Sequence, residues 1–178
     1  MRIIAGKHKG RKLLPLVGDD ARPTLDRVRE NLFNILSNRV VGANFLDLFA
    51  GSGAVGIEAL SRGAEKVVFC DKNPKIIAHI RKNLALINES CDCVLGDYKT
   101  TLKKILKGYD IIYLDPPYSF DSLEVLTEIS NSGVLASDGI VVYEHDASTD
   151  IKIPDSFELF DERKYGIAKL SFLRGKNV

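Results

Sequence analysis

Between residues 44 and 144, five short and largely apolar runs are separated by stretches with helical spacing. The runs lie at 45–49, 66–71, 91–95, 109–114 and 140–144. Continuous apolar runs are typical of strands that are buried on both faces. Strands that alternate with helices form a mostly parallel, doubly wound α/β sheet with right-handed crossovers. Two further runs, at 157–162 and 168–173, predict an antiparallel strand pair at the C-terminal end.

A glycine pattern, Gly51-x-Gly53-x-x-Gly56, stands between the first strand and the first helix of this alternation. Glycine adopts positive φ and lets a ligand contact the backbone, and the amides of a helix N-terminus attract an anionic group. The pattern alone is weak, but a position between a strand and a helix is the context that a nucleotide-binding turn requires. The other interpretation is a tight turn without a ligand.

Acidic residues mark the strand ends around this glycine turn. Asp71 lies 20 positions after Gly51, where a carboxylate accepts hydrogen bonds from ribose hydroxyls. Asp97 follows the third strand and is expected to face an adenine ring, although each acid could also be a helix cap. Asp47 lies inside the first strand, where its charge suits the ammonium and sulfonium of S-adenosylmethionine better than a pyrophosphate. A nicotinamide dinucleotide stays open as the other cofactor.

The fourth strand runs directly into Asp115-Pro116-Pro117-Tyr118. Two prolines end the strand and contribute carbonyl acceptors without N–H donors. Next to these acceptors stand the carboxylate of Asp115 and the aromatic ring of Tyr118. Together they suit a planar base with an exocyclic amine, which the acceptors orient towards a methyl donor while the ring stacks on the base. Either Asp115 or water then takes the proton that the methylated amine loses. The alternative interpretation of the motif is an ordinary Pro-Pro turn without a catalytic role.

The net charge of +1 hides a strong asymmetry along the chain. Residues 1–40 contain nine cations and four anions, which leaves +5, whereas sixteen cations and twenty anions leave −4 in the remainder. We therefore predict a basic N-terminal extension at 1–40, consisting of a β-hairpin within 2–14 and a helix from Thr24, followed by an α/β domain at 41–178. The hairpin cations are predicted to bind nucleic-acid phosphates, or else form a solvated edge: Arg2, Lys7, Lys9, Arg11 and Lys12.

Three cysteines without a Cys-x-x-Cys pair make a disulfide framework or a zinc cluster improbable, so no metal is expected. No apolar run approaches the ~20 residues that span a bilayer, and the N-terminal residues lack the apolar core of a signal peptide. We therefore expect a cytoplasmic protein that does not contact a membrane and acts as a monomer.

Asp47-x-Phe49-x-Gly51-x-Gly53 together with Asp115-Pro-Pro-Tyr118 resembles the Rossmann-like S-adenosylmethionine-dependent amino-methyltransferases of nucleic acids. Further motifs, Arg2-Ile-Ile-Ala-Gly-Lys-His-Lys-Gly-Arg11 and Arg22-Pro-Thr24-x-Asp26-Arg27-Val-Arg29-Glu30, narrow the resemblance to the bacterial 16S ribosomal RNA guanine-N2 methyltransferase family. This resemblance covers nearly the whole chain.

The resemblance implies methylation of the 2-amino group of one guanine in small-subunit ribosomal RNA, within an assembled or assembling particle. It assigns the base pocket to residues 115–118. Arg22, Thr24 and Arg27 match the N-terminal motif and are added to the RNA-binding set. The cofactor contacts that it implies are Asp47, Phe49, Gly51, Gly53, Asp71 and Asp97.

Other functions remain compatible with these motifs. An adenine-N6 DNA methyltransferase would use an Asp-Pro-Pro-Tyr motif in the same way to orient an exocyclic amine. The 178 residues contain no obvious DNA target-recognition domain, however. A non-catalytic RNA-binding assembly factor would not require the acids at the strand ends, so their presence argues against this alternative. A nicotinamide-dependent reductase would use the glycine turn differently, and cofactor binding distinguishes it from the other two.

Overall fold

The structure, a computed structural model, describes residues 1–16, 26–117 and 119–176. Its helices are α1 (Asp26–Leu36), α2 (Ala54–Ser61), α3 (Pro74–Leu86), α4 (Tyr98–Lys104) and α5 (Ser122–Ser132), with a short 3₁₀ turn at Ser37–Arg39. Its strands are β1 (Asn44–Asp47), β2 (Lys66–Asp71), β3 (Asp92–Leu95), β4 (Tyr109–Leu114), β5 (Leu135–Asp146), β6 (Phe157–Tyr165) and β7 (Ala168–Gly175).

The described strands form one sheet in the order β3-β2-β1-β4-β5-β7-β6. Strands β1 to β5 are parallel, whereas β7 pairs antiparallel with β5 and β6 pairs antiparallel with β7. This confirms the predicted α/β class with its antiparallel C-terminal pair. The sheet order reverses between β1 and β4, so the carboxyl ends of these strands flank the crevice where ligands bind in such sheets.

Several element boundaries differ from the sequence expectation for local reasons. Strand β1 ends at Asp47, so Phe49 lies in the turn that follows it. Helix α4 begins at Tyr98 because the side chain of Asp97 accepts a hydrogen bond from the Thr100 amide and caps the helix. Helix α3 begins with Asn73 as its N-cap and Pro74 at its first position.

The N-terminal segment turns back on itself, but it does not form two regular strands. One isolated antiparallel bridge joins Arg2 and Lys12. The Ile3 amide donates to the Arg11 carbonyl at 3.0 Å, and the Gly10 amide donates to the Ile3 carbonyl at 2.9 Å. In place of the predicted hairpin, the structure has a loop over residues 2–12 that is closed by this one bridge and a few backbone hydrogen bonds; we call it the bridged loop.

The N-terminal segment packs on the same face of the sheet as helices α1, α2 and α3. Ile3, Leu13 and Phe33 belong to the buried cluster that contains Phe45 and Phe69 of the sheet. Helices α4 and α5 cover the opposite face. The cluster that contains Phe45 and Phe69 thus includes residues from both sides of residue 40. The division predicted there marks a change of charge along the chain.

Gly56 lets helix α2 lie directly on strand β2. A Cβ atom at this position would stand 2.3 Å from the ring of Phe69, which is completely buried. Only glycine fits this close approach of helix to strand. The third glycine of the sequence pattern is thus explained by packing, whereas the first two belong to the turn.

Three smaller findings concern the described residues only. None of their helices is long and apolar enough to cross a membrane. Their three cysteines are free, with Cys70 buried and the other two half-buried. They contain no group of three or more His, Cys, Asp or Glu side chains placed to hold a metal ion.

Candidate functional site

The carboxyl ends of strands β1 to β4 enclose a cavity of about 410 Å³. It brings together the glycine turn, two strand-end acids and the Asp-Pro-Pro turn, which are up to 66 positions apart in the sequence, from Gly51 to Pro117. The sequence-predicted residues that line it are Phe49, Gly51, Asp71, Asp97, Asp115, Pro116 and Pro117. Tyr118 lies outside the described residues.

The glycine turn has the backbone conformation that the pattern predicts. Gly51 and Gly53 have φ of 49° and 76°, a region that residues with a Cβ rarely adopt. A Cβ at Gly53 would also stand 2.9 Å from the Ile80 side chain, whereas a Cβ at Gly51 would meet no atom within 4 Å. Gly51 lines the cavity, so its missing side chain leaves the backbone open to a ligand there.

Asp71 links the glycine turn to the start of helix α3. Its Oδ2 accepts a hydrogen bond from the Gly51 amide at 3.2 Å, and its Oδ1 accepts one from the Asn73 amide at 2.9 Å. The carboxylate is half-buried and lines the cavity. Asp71 therefore fixes the shape of the turn and also presents acceptor oxygens to a ligand with hydroxyl groups.

Asp47 lies beneath the glycine turn and is not among the residues that line the cavity. It is 1% exposed, and its Oδ2 accepts a hydrogen bond from the Gly56 amide at 3.1 Å. Burial and, to a smaller extent, the charges of Asp115 and Asp71 raise the pKa of Asp47 to about 7, against the lowering effect of the Gly56 hydrogen bond. Asp47 therefore supports the turn from beneath through its bond to the Gly56 amide.

The free energy of unfolding of the wild-type protein should fall as the pH rises from about 4 to about 7. We expect Asp47→Asn to abolish the part of this fall that Asp47 causes. The native protein holds the Asp47 proton up to about pH 7, whereas the unfolded chain loses it near its ordinary pKa. The wild-type free energy of unfolding therefore falls as pH rises through this window. Relative to wild type, the variant should gain on the order of 4 kcal/mol between pH 4 and pH 8.

Urea unfolding at several pH values measures this difference. The exposed Asp92, exchanged for Asn in the same way, is the matched control because its charge lies at the amino end of β3. A stability difference between wild type and Asp47→Asn that stayed constant from pH 4 to pH 8 would contradict the raised pKa.

Asp97 combines the two roles between which the sequence did not decide. Its Oδ1 accepts from the Thr100 amide at 3.0 Å, and its Oδ2 accepts from the Thr100 hydroxyl at 2.6 Å. These bonds hold the pKa of Asp97 below its ordinary value. The residue caps helix α4 and lines the cavity at the same time.

An aromatic wall, formed by Phe49, Tyr98 and Phe120, closes one side of the cavity. Their ring centroids lie 5.5 to 5.8 Å apart. The sequence motif included Phe49 but not the other two. The sequence did contain a signal for Tyr98, because this aromatic residue directly follows the strand-end acid Asp97. Phe120 reaches the wall only because the chain turns back after Pro117, where the Phe120 amide donates to the Pro117 carbonyl at 3.0 Å.

The predicted RNA-binding cations are exposed where they are described, but two of them are held by contacts with the end of helix α3 and the loop after it. Lys7 Nζ lies 2.5 Å from Oε1 of Glu89, and Arg11 donates to the Leu86 carbonyl at 2.6 Å. The remaining exposed members are Arg2, Lys9, Lys12 and Arg27. Arg22 and Thr24 lie outside the described residues.

Comparisons with known proteins agree with this architecture. The YlbH protein of Bacillus subtilis is 37% identical, with 98% of both chains covered. Ribosomal RNA small subunit methyltransferase D of Haemophilus influenzae is 34% identical over 94% of this chain and 90% of its own. Among solved structures, the Escherichia coli protein yhhF superposes with a TM-score of 0.89 at 30% identity, covering 99% of this chain and 98% of its own.

A family model described as Conserved hypothetical protein 95 matches residues 1–174. The match spans the N-terminal segment, the glycine turn and the Asp-Pro-Pro turn, which are the motifs that carried the resemblance in the sequence. The predicted family is therefore confirmed: the chain belongs to the Conserved hypothetical protein 95 family, that of the ribosomal RNA small subunit methyltransferases D.

Proposed function

We propose that the protein transfers a methyl group from S-adenosylmethionine to the exocyclic N2 amine of one guanine in 16S ribosomal RNA. The observation that carries this proposal is the position of the Asp-Pro-Pro turn on the wall of the cavity that the glycine turn and Asp71 form. A group bound at the glycine turn and an amine held at Asp115 are then neighbours. Relatives named as small-subunit ribosomal RNA methyltransferases support the substrate.

The residues around the cavity fit S-adenosylmethionine. Its volume of about 410 Å³ is within the range of small-molecule sites. Asp71 offers acceptors to ribose hydroxyls, and the aromatic wall offers faces and edges to a purine. The carboxylates of Asp71 and Asp115 on the cavity wall favour a cationic ligand over a pyrophosphate. Phe49, Gly51, Gly53 and Asp97 complete the proposed contact set.

Asp115 orients the amine that is methylated. When bound, the cofactor supplies a methyl group whose bond to sulfur breaks as the guanine N2 lone pair attacks, leaving the electron pair on sulfur. Asp115 accepts a hydrogen bond from the amine, keeps N2 aligned and stabilises the positive charge that grows on it. Asp115 or water then takes the proton. Pro116 and Pro117 stiffen the turn that presents this carboxylate.

Tyr118 is assigned to stacking on the target base. Stacking of a base on an aromatic ring contributes about 1–3 kcal/mol, which offsets part of the cost of taking the base out of its stack.

The partner that we propose is small-subunit ribosomal RNA in an assembled or assembling particle, bound by the protein as a cytoplasmic monomer. The exposed cations of the N-terminal segment contact phosphates, which positions the enzyme without reading sequence. Arg22, Thr24 and Arg27 belong to this proposed surface. The acids of the cavity and the cations of the segment thus explain why the two parts of the chain have opposite net charges.

Neutralising Lys9 and Lys12 together should weaken RNA binding and flatten its dependence on salt. Both side chains are exposed on the bridged loop. Loss of two phosphate contacts should lower the slope of log K against log salt by about 1.5. Filter binding of small-subunit particles at several salt concentrations measures the slope. Lys103 and Lys104, exposed in the last turn of α4 on the opposite face, are the matched pair to neutralise.

If the Lys103/Lys104 variant lost as much slope as the Lys9/Lys12 variant, the assignment of phosphate contacts to the N-terminal segment would be wrong. Equal slopes for Lys9/Lys12 and wild type would lead to the same conclusion.

The function itself is tested with labelled S-adenosylmethionine. The enzyme is incubated with small-subunit particles that lack its modification, with the free ribosomal RNA and with DNA. We expect label in the particle RNA, recovered as N2-methylguanosine by mass spectrometry. Label in N6-methyladenine of DNA would favour a DNA methyltransferase. Particle binding without any label would favour an assembly factor.

A further inference from the structure

Glu144 stands beside Asp115 at the edge of the sheet where the Asp-Pro-Pro turn begins. Strand β5 is the parallel neighbour of β4, and Leu114 is in register with Tyr143. The next residue on each strand is an acid, Asp115 on one and Glu144 on the other. Neighbouring strands lie about 4.8 Å apart, so the backbones that carry these two carboxylates are adjacent.

Tyr113 holds the Glu144 carboxylate in place. The Tyr113 hydroxyl donates a hydrogen bond to Oε2 of Glu144, and the Tyr113 side chain is 2% exposed. Burial raises the pKa of Tyr113 well above its ordinary value, and the charge of Glu144 raises it further. The hydroxyl therefore stays protonated and remains a donor. Because Tyr113 also lines the cofactor cavity, Glu144 is tied to the wall of that cavity.

Glu144 lines a second, smaller pocket that adjoins the Asp-Pro-Pro turn. This pocket has a volume of about 60 Å³ and shares Pro116, Pro117 and Phe120 with the cofactor cavity. Its volume suits the edge of a planar base and not the whole ring system. The two prolines have no N–H groups, so this side of the pocket offers acceptors to an entering edge.

We infer that Glu144 selects guanine by accepting a hydrogen bond from N1–H while Asp115 accepts one from the N2 amine. This inference rests on the proposed function. Guanine carries donors at N1 and N2 on one edge, whereas adenine carries a donor at N6 and an acceptor at N1. A carboxylate opposite the N1 lone pair of adenine would place acceptor against acceptor. An ionised carboxylate has about four acceptor sites, so the bond from Tyr113 is compatible with a second donor.

Orientation of the amine and recognition of the base are thus assigned to two neighbouring strands, β4 and β5. The Asp-Pro-Pro turn orients an exocyclic amine, which both guanine and adenine possess. Glu144 reads the neighbouring ring position, which differs between the two bases. A site built around a hydrogen-bonding group discriminates by 10⁴–10⁵ against a partner that lacks it, because buried polar groups are then left unpaired.

Two variants separate this role from a structural one. Glu144→Ala removes the acceptor, and we expect kcat/KM on guanine particles to fall about 10²-fold. Tyr113→Phe keeps the carboxylate and removes only its anchor, so we expect a loss of about tenfold with guanine preference retained. Calorimetric titration of S-adenosylmethionine should give Glu144→Ala the wild-type Kd within about threefold, because Glu144 does not line the cofactor cavity. Measurable binding by both variants also shows that they fold.

The decisive measurement compares two particles that differ at the target nucleotide. Small-subunit particles are reconstituted with guanine or with adenine at that position, and transfer of labelled methyl is followed with each enzyme. For wild type we expect transfer to guanine only. For Glu144→Ala we expect the guanine-to-adenine ratio of kcat/KM to fall at least tenfold, whereas Tyr113→Phe should keep the wild-type ratio.

An unchanged guanine-to-adenine ratio in Glu144→Ala would overturn the inference, and so would equal losses in Glu144→Ala and Tyr113→Phe. These outcomes leave the proposed function intact, because wild type still methylates guanine particles. Wild-type enzyme that binds S-adenosylmethionine but labels neither particle would overturn the proposed function and the inference together.

Discussion

Asp115→Ala should lower the rate constant for methyl transfer to small-subunit particles by about 10²–10³ while S-adenosylmethionine still binds. The carboxylate stands on the cavity wall and is the group that would align the amine and stabilise its growing charge. Asp71 holds the backbone of the glycine turn, so we expect the cofactor site to keep its shape. Single-turnover transfer of labelled methyl measures the rate, and calorimetry measures the cofactor Kd.

Two control variants sharpen this experiment. Asp115→Asn keeps one acceptor oxygen without the charge, so its rate should lie between those of wild type and Asp115→Ala. Asp92→Ala removes an exposed acid at the amino end of β3, far along the strands from the cavity, and should behave as wild type. A wild-type rate in Asp115→Ala would refute the role of this residue. A parallel loss of cofactor binding would mean that Asp115 belongs to the cofactor site instead.

Glu58→Ala should lower the free energy of unfolding by about 3–5 kcal/mol, the largest stability effect that we expect from a single side chain. Glu58 is 1% exposed and accepts from the Ile4 amide at 2.9 Å and from the Ala5 amide at 3.0 Å. It also pairs with Arg62 at 2.8 Å and lies 3.7 Å from the buried Arg29. Its loss leaves a buried cation and two amides without this acceptor.

Urea unfolding followed by circular dichroism measures the loss, and hydrogen exchange locates it. The Ile4 and Ala5 amides should lose protection in the variant more than the amides of β1 and β4, because Glu58 fastens the N-terminal segment to helix α2. Glu65→Ala, which removes an exposed acid shortly after the same helix, should change stability by less than about 0.5 kcal/mol. A loss below 1 kcal/mol in Glu58→Ala would contradict the proposed fastening.

The Glu58 contacts also illustrate what local sequence patterns do not contain. The sequence places Glu58 in a helix near the glycine turn, where an acid usually faces water. Its partners lie 53 and 54 positions earlier in the chain, and no spacing rule relates them. Only the packing of the N-terminal segment over α2 makes this acid a buried acceptor.

In the candidate site, too, some residues were predictable from the sequence and others were not. The glycine turn, Asp71 and the Asp-Pro-Pro turn were predictable because each depends on a short pattern at the end of a strand, and parallel strands bring these ends together. Phe120 and Glu144 were not predictable, because their roles depend on how a turn folds back and on the register between β4 and β5. Asp47 was expected at the cofactor and lies beneath the turn, since β1 ends at this residue and its carboxylate reaches the Gly56 amide.

The sequence by itself determined the α/β class, the family, the glycine turn and the Asp-Pro-Pro turn, because strand burial, turn chemistry and motif spacing act over a few residues. The tertiary structure alone decided which strands are neighbours, that the basic segment shares the main hydrophobic core, and that Tyr113 orients Glu144 beside Asp115. These features depend on contacts between residues far apart in the chain, which form only when the complete sheet and its helices pack together.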